Sequence, residues 1–196
     1  MSDALLSAVR ARRGHFKLES GHHGDLWLDL ESLCVNPAHV QPFAAKLAER
    51  LRPYALDAVC GPLNEGAFIA LMVAGALDCR FTYAERFERP ELGTLFPVEY
   101  RLPAALHAVV AGKRVAIVND VISAGSAVRG ALSDLDGLGA RVAVVGSLLV
   151  FGSSFREYAR SRDLPIETLS ELPYNLWTPS DCPLCQSGVP LESTQP

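Results

Sequence analysis

Residues 114–129 read Arg-Val-Ala-Ile-Val-Asn-Asp-Val-Ile-Ser-Ala-Gly-Ser-Ala-Val-Arg, and this stretch carries the sharpest structural signal in the sequence. Its apolar first half is typical of a buried strand, which delivers Asn119 and Asp120 to the strand's carboxyl end. The small residues 123–126 then predict a tight turn into a helix, where unpaired backbone N–H groups and the helix dipole favour a phosphate. Beside that turn, Asn119 and Asp120 are suited to hydrogen-bond the vicinal hydroxyls of a sugar.

Strands and helices alternate on both sides of this unit. Apolar runs at 58–60 and 142–150 have the character of buried strands, and the first leads into a glycine-containing turn and a helix. This alternation predicts an α/β fold, in which helices flank a central, mostly parallel sheet and ligands gather at the carboxyl ends of the strands. Alternating apolar residues at 16–18 and 26–30 predict a strand pair ahead of that sheet. A chain of 196 residues suits a single domain over 1–196.

Composition narrows the class of partner. The formal net charge is −4 and the sequence pI is about 5.7, which argues against a broad cationic surface for nucleic acid. The amino terminus lacks the apolar segment of a secretory signal. The longest apolar stretches, 66–77 and 142–151, fall short of the roughly 20 residues that cross a bilayer. We therefore expect a cytoplasmic protein that has neither nucleic acid nor a membrane as its partner.

The stretch 114–129 resembles the phosphoribosyl-pyrophosphate (PRPP) motif of type I phosphoribosyltransferases. That motif is a hydrophobic strand, two acidic residues, two hydrophobic or small residues, and Thr-Ala-Gly-Thr. Here Asn119 stands at the first acidic position, and Ser123 and Ser126 replace the two threonines. The alternative is an ordinary strand–turn–helix with an incidental glycine.

Two further segments carry the resemblance towards the orotate phosphoribosyltransferases. Residues 18–29, Leu-Glu-Ser-Gly-His-His-Gly-Asp-Leu-Trp-Leu-Asp, are similar to that family's amino-terminal strand pair. Residues 61–66, Gly-Pro-Leu-Asn-Glu-Gly, are similar to its pyrophosphate-binding loop. The resemblance covers most of 15–150. It implies a type I phosphoribosyltransferase fold with a small N-terminal hood, transfer of ribose phosphate from PRPP to a pyrimidine base, Mg²⁺ that binds with PRPP rather than to the protein directly, and a homodimer.

The resemblance also assigns roles to individual residues. By this resemblance, the ribose 5-phosphate part of PRPP binds to Asn119, Asp120, Ser123, Ala124, Gly125 and Ser126. Its pyrophosphate binds to Leu63, Asn64 and Glu65. Arg129 falls where the family has an arginine that contacts the carboxylate of the base. Asp120, Arg86 and Arg89 are the candidate catalytic residues.

Residues 85–97, Glu-Arg-Phe-Glu-Arg-Pro-Glu-Leu-Gly-Thr-Leu-Phe-Pro, predict a long mobile loop that closes over the substrates. The family's loop carries lysines and a histidine for the pyrophosphate, whereas this one offers only Arg86 and Arg89. Two alternatives therefore stay open: a phosphoribosyltransferase for another nucleobase, and a sensor that binds PRPP or a nucleotide with little turnover. A DNA-bound regulator is disfavoured, because the chain has no basic helix to spare.

The last sequence signal is Cys182-Pro-Leu-Cys185. A zinc site needs two more ligands, so this pair is surface thiols, half of a zinc site completed elsewhere, or a redox pair. The further ligands could come only from distant cysteines or from histidines such as His22, His23, His39 and His107. His22 and His23 are alternatively solvated turn residues, or reach the substrates across a dimer. The tail 174–196 is rich in proline, serine and glycine, which predicts little fixed structure.

Overall fold

The structure, a computed structural model, describes residue 5 and residues 10–29, 31–88 and 95–192. The strands within these ranges are β1 (Arg10–Lys17), β2 (His23–Asp29), β3 (Ala58–Pro62), β4 (Arg80–Glu88), β5 (Val98–Arg101), β6 (Arg114–Ile122), β7 (Arg141–Phe151), β8 (Ile166–Leu172) and β9 (Leu176–Trp177). The larger sheet has the order β5-β4-β3-β6-β7-β8, and its neighbours are parallel except for β4 with β5. The predicted central, mostly parallel sheet is therefore confirmed.

Helices cover both faces of this sheet. Those in the described ranges are α1 (Glu31–Cys34), α2 (Pro37–Leu51), α3 (Glu65–Leu77), α4 (His107–Val110), α5 (Ser126–Gly137), α6 (Ser154–Arg160) and α7 (Pro183–Gln186). None of these helices combines the length and apolar character that crossing a membrane requires.

The central strand β6 shows how the sequence produces this layering. Its side chains alternate between the two faces, as in any strand. Val115 and Ile117 join the apolar cluster that contains α5, whereas Ala116 and Val118 join the cluster that contains α2 and α3. All four are fully buried, so β6 is fixed in the middle of the sheet with its carboxyl end free for a ligand.

The remaining strands form a small antiparallel sheet in the order β1-β2-β9, which is the predicted hood. Its third strand corrects the expectation for the tail. Leu176 pairs with Gly24, Trp177 pairs with His23, and the chain then forms α7. The composition of 174–196 suggests disorder, but the described part, to 192, is fixed by contacts with β1 and β2 that are far away in sequence.

The predicted loop is also shorter than expected at its start. Residues 85–88 belong to β4 and pair antiparallel with β5, from Glu85 with Arg101 to Glu88 with Val98. Charged side chains suggest a loop there, yet they are tolerated because this hairpin lies at the sheet edge, where Phe87 and Glu88 are exposed. Arg89 and the rest of 89–94 lie outside the described residues.

Candidate active site

A cavity of about 720 Å³ lies between the hood and the carboxyl ends of β3 and β6. The hood contributes Phe16, Leu18, Glu19 and Ser20 to its wall. All nine residues that the resemblance assigns to PRPP line this one cavity: Leu63, Asn64, Glu65, Asn119, Asp120, Ser123, Ala124, Gly125 and Ser126. The fold thus brings together two segments that the sequence only suggested separately.

The turn at 123–126 joins β6 to α5. Gly125 has a φ of 78°, and a Cβ there would lie 2.2 Å from Phe155 Cδ2, so both the backbone and the packing require glycine. Ser126 is the first residue of α5, whose opening N–H groups have no partner inside the helix. Ser123 Oγ is buried and makes no hydrogen bond of good geometry among the described residues. Burial raises the pKa of the Tyr174 phenol, and the nearby Ser123 hydroxyl partly offsets that rise. The turn therefore offers several donors to an anion.

Asn119 and Asp120 lie at the floor of the cavity, with 8% and 7% of their surface exposed. Burial raises the pKa of Asp120 to about 7, and the nearby carboxylates of Glu65 and Glu19 add to that rise. Asn119 Nδ2 donates a 2.8 Å hydrogen bond to the Val121 carbonyl oxygen. An aspartate at 119 could not donate this hydrogen bond. The amide of Asn119 therefore has a structural role at a position where the motif has an acid.

The loop after β3 has a tighter construction than the sequence suggests. A Cβ at Gly61 would lie 2.6 Å from Ala67 Cα, and one at Gly66 would lie 2.1 Å from Asn119 Oδ1. Both glycines are thus needed for α3 to pack closely against β3 and β6, in addition to forming the two ends of the loop. Leu63 N–H already donates to the Ala84 carbonyl oxygen at 2.9 Å. The donors left for a pyrophosphate lie after Leu63, at Asn64 and Glu65.

Glu19 is a central residue of the site that the sequence did not single out. Its Oε1 accepts a 2.6 Å hydrogen bond from Ser126 Oγ, and its Oε2 accepts 2.9 Å hydrogen bonds from Arg86 Nε and the Tyr100 hydroxyl. Arg86 also bonds Glu88 at 3.0 Å. Arg86 does not itself line the cavity; it reaches the wall through Glu19. Only its position next to the Ser-Gly turn of the hood gave Glu19 a signal in the sequence.

The charged residues on the cavity wall are mostly acidic. Glu19, Asp29, Glu65 and Asp120 face one cation, Arg12, so the wall has a formal balance of −3 when all are ionised. Such a wall repels a free polyphosphate and attracts a divalent cation, for which carboxylates are preferred ligands.

Comparison with known proteins identifies the family. No protein-family model matches the sequence. The orotate phosphoribosyltransferase of Thermotoga maritima is 31% identical over 179 residues, which is 91% of this chain and 88% of that protein. The chain belongs to the orotate phosphoribosyltransferase family, whose members are pentosyltransferases.

Solved structures agree on the fold. The UMP synthase of Leishmania donovani matches with a TM-score of 0.64 and 23% identity, over 87% of this chain and 35% of that longer chain. The adenine phosphoribosyltransferase of Trypanosoma brucei, solved with AMP, pyrophosphate and ribose-5-phosphate, matches with a TM-score of 0.67 and 16% identity, over 86% of this chain and 78% of that one. At these identities the likeness shows the type I phosphoribosyltransferase fold alone.

For a member of the orotate phosphoribosyltransferase family, Arg129 has an unexpected position. Its Nε donates a 3.0 Å hydrogen bond to the Ala124 carbonyl oxygen, and its guanidinium lies 4.0 Å from the Tyr158 ring centroid and 4.7 Å from that of Phe96. It is not among the residues that line the cavity. In this conformation Arg129 stabilises the turn at 123–126 through its hydrogen bond to Ala124.

Two histidines and two cysteines form a cluster outside the cavity. His15, His23, Cys182 and Cys185 come together, so the CxxC pair of this orotate phosphoribosyltransferase homologue has two histidine neighbours. His23 is one of the distant histidines that the sequence suggests as ligands, whereas His15 is not, although His15 and His23 flank a hairpin turn. The other three histidines that the sequence suggests, His22, His39 and His107, are not in this group. Neither His22 nor His23 lines the cavity.

Proposed function

We propose that the protein is an orotate phosphoribosyltransferase, which joins orotate to the ribose 5-phosphate of PRPP and releases pyrophosphate. A ring nitrogen of the base forms the new bond to C1′ of the ribose and loses its proton to solvent, while the bond from C1′ to the pyrophosphate oxygen breaks and its electron pair leaves with the pyrophosphate. The observation that carries the proposal is that the turn at 123–126 (the phosphate turn), Asp120 and the loop 63–65 all line one cavity. Family membership supplies the base.

Each wall of the cavity suits one part of PRPP. The N–H groups and hydroxyls of 123–126 would hold the 5′-phosphate, since donors and a helix N-terminus meet there. The Asp120 carboxylate would accept hydrogen bonds from the ribose hydroxyls. Asn64 and Glu65 would offer backbone donors to the pyrophosphate. Fixing the sugar between these groups orients C1′ towards the base, which is a large part of the catalytic effect in a displacement of this kind.

The reaction also requires positive charge near the departing pyrophosphate. The acidic wall fits a substrate that arrives with a divalent cation rather than alone. Bound with PRPP, Mg²⁺ would supply positive charge against the departing pyrophosphate. Arg86 would add to it once its contact with Glu19 opens, and Arg89 is the second cation that the sequence offers. An arginine stabilises charge there but does not donate a proton at neutral pH.

Arg129 keeps its proposed role in recognising the carboxylate of the base, which requires its guanidinium to leave Tyr158 and Phe96 when the base binds. We further expect a homodimer and a cytoplasmic location, on the resemblance and the composition alone.

The test is a turnover screen of the purified protein with Mg²⁺, PRPP and a panel of free nucleobases, with pyrophosphate release as the readout. We expect orotate to be used in preference to uracil, adenine, guanine and hypoxanthine, and Asp120→Asn to abolish the signal. Preference for another base would show that the proposed substrate is wrong, while the proposed type of reaction would stand. Intact PRPP binding without turnover on any base would favour the sensor instead.

A further inference from the structure

Four potential metal ligands converge where the C-terminal segment crosses the hood. His15 lies in β1, His23 begins β2, and Cys182 and Cys185 lie at the start of α7 and within it. Their ring nitrogens and sulfurs all lie within 4.8 Å of one another. His15, His23 and Cys182 are buried, and Cys185 is exposed. The cluster lies outside the cavity and has no part in the proposed reaction.

Hydrogen bonding does not explain this convergence. His15 Nδ1 lies 2.9 Å from the Val189 carbonyl oxygen, which only accepts, so Nδ1 carries the hydrogen and Nε2 presents a lone pair when the ring is neutral. Three atoms face that single lone pair: His23 Nδ1 at 3.0 Å, Cys182 Sγ at 3.4 Å and Cys185 Sγ at 3.6 Å. One lone pair accepts one good hydrogen bond. A central cation satisfies all four atoms together.

The separations fit a small tetrahedral site. Zinc bonds of about 2.0–2.1 Å to nitrogen and about 2.3 Å to sulfur place neighbouring ligands roughly 3.3–3.8 Å apart. Cys182 Sγ and Cys185 Sγ lie 3.4 and 3.6 Å from His15 Nε2, within that range. His23 Nδ1 is slightly closer than the range to two neighbours, at 3.2 Å from Cys185 Sγ and 3.0 Å from His15 Nε2, and no separation in the set exceeds 4.8 Å, so small shifts bring the four atoms to tetrahedral spacing. The His15–Val189 contact also has the usual form of an outer contact to a ligating histidine, in which the second ring nitrogen donates to a carbonyl.

We propose that His15, His23, Cys182 and Cys185 form a structural zinc site of the Cys₂His₂ type. Two thiolates and two imidazoles in a compact set select zinc over Mg²⁺ or Ca²⁺, which prefer oxygen ligands. With four protein ligands the coordination sphere is full, so the metal is structural rather than catalytic.

The site fastens the two ends of the described chain to each other. His15 and Cys182 are 167 residues apart in sequence, so the metal closes a very long loop. Further contacts join the same two segments: Glu192 N–H donates to the His15 carbonyl oxygen at 2.6 Å, and Arg12 pairs with Glu192. Because His15 adjoins Phe16 and the hood also carries Leu18 and Glu19, the metal holds one wall of the cavity in place.

Metal content and cobalt spectroscopy test this directly. Untagged protein is reduced, reconstituted with zinc, dialysed and analysed by mass spectrometry. We expect about one zinc per chain, and Co²⁺ in its place should give the visible absorption of tetrahedral cobalt with thiolate charge-transfer bands. Chelation should lower the unfolding temperature by at least about 5 °C, given that about 1 kcal/mol moves it by 2–4 °C at this size, and should increase hydrogen exchange in 10–29.

Cys185→Ser is the decisive variant, because Cys185 is exposed and its loss leaves the apolar core intact. It should lose at least tenfold in zinc affinity and lose the unfolding response to chelator. Matched controls are Cys79→Ser and His39→Asn, which should retain one zinc per chain. Folded wild-type protein with less than a tenth of a zinc per chain, or equal zinc affinity of wild type and Cys185→Ser in a chelator competition, overturns the proposal. So does a Cys182–Cys185 disulfide whose reduction brings no metal uptake.

Discussion

Ser126 Oγ donates its hydrogen bond to Glu19 Oε1 at 2.6 Å, so a carboxylate from the hood occupies a donor of the phosphate turn. Glu19 holds Arg86 and Tyr100 through its other oxygen. A phosphate on the turn would bring two anions into contact, and like charges repel each other. Binding of a 5′-phosphate therefore requires Glu19 to move away from Ser126.

The Glu19→Gln variant should bind ribose 5-phosphate and PRPP more tightly, because the amide removes the negative charge and keeps the shape. The expected gain is about 1 kcal/mol, or roughly a fivefold lower Kd. Titration calorimetry at low and high salt measures it, and the gain should shrink with salt. Glu88→Gln is the control, since it also releases Arg86 but does not touch Ser126. An equal gain in both variants would place the effect at Arg86.

Stability should fall with pH through the titration of Asp120. Its pKa is raised from 3.8 to about 7 in the folded state, so its contribution is fully present below about pH 4 and is lost as the pH rises through about 7. Asp120→Asn removes that dependence. Relative to wild type, the variant should gain unfolding free energy on the order of a few kcal/mol between pH 4 and pH 8. Thermal unfolding across this range measures the difference, and a pH-independent offset contradicts the assignment.

The position of Arg129 leads to a prediction that separates its two roles. If it acts on the turn through Ala124, Arg129→Ala should weaken ribose 5-phosphate binding and lower kcat/KM equally for orotate and any second base, by about 1–3 kcal/mol. If it moves to the base, the loss should be selective for the carboxylated pyrimidine. The proposed recognition of orotate requires the second result, whereas the contacts of Arg129 with Ala124, Tyr158 and Phe96 alone would give the first. Competition kinetics with orotate against uracil distinguish the two.

Arg86→Ala tests whether this cation acts on departing charge. We expect kcat to fall roughly tenfold while the Kd for PRPP changes less, because leaving-group charge develops mainly in the transition state. Arg101→Ala is the matched control: it lies on the neighbouring strand, pairs with Glu99 and is far more exposed. Pre-steady-state and steady-state kinetics separate binding from chemistry. A larger change in Kd than in kcat would make Arg86 a binding residue only.

The core of the fold and the strand–turn–helix geometry at 114–129 could be predicted because their signals are local. The strand, the small residues and the helix of 114–129 follow one another, and Gly125 marks the sharp turn directly. The same holds for the loop after β3. Alternating strands and helices then leave few arrangements for a parallel sheet.

The remaining features depend on contacts between distant segments. Glu19 reaches Ser126 across 107 residues, and His15 meets Cys182 across 167. Nothing in either local sequence specifies these partners. The edge strand at 85–88 has a charged, loop-like composition, and its pairing with β5 decides its structure. Likewise, the composition of the tail does not reveal that β2 and His15 fix it.

The position of a bound nucleotide decides whether this cavity is the active site. A crystal structure with the nucleoside 5′-monophosphate of orotate should place phosphate oxygens about 3 Å from the backbone nitrogens of the 123–126 turn, and the ribose hydroxyls within hydrogen-bond distance of Asp120. Glu19 should have left Ser126 in that complex. A phosphate bound anywhere else, or a ribose that does not reach Asp120, would contradict the assignment of this cavity.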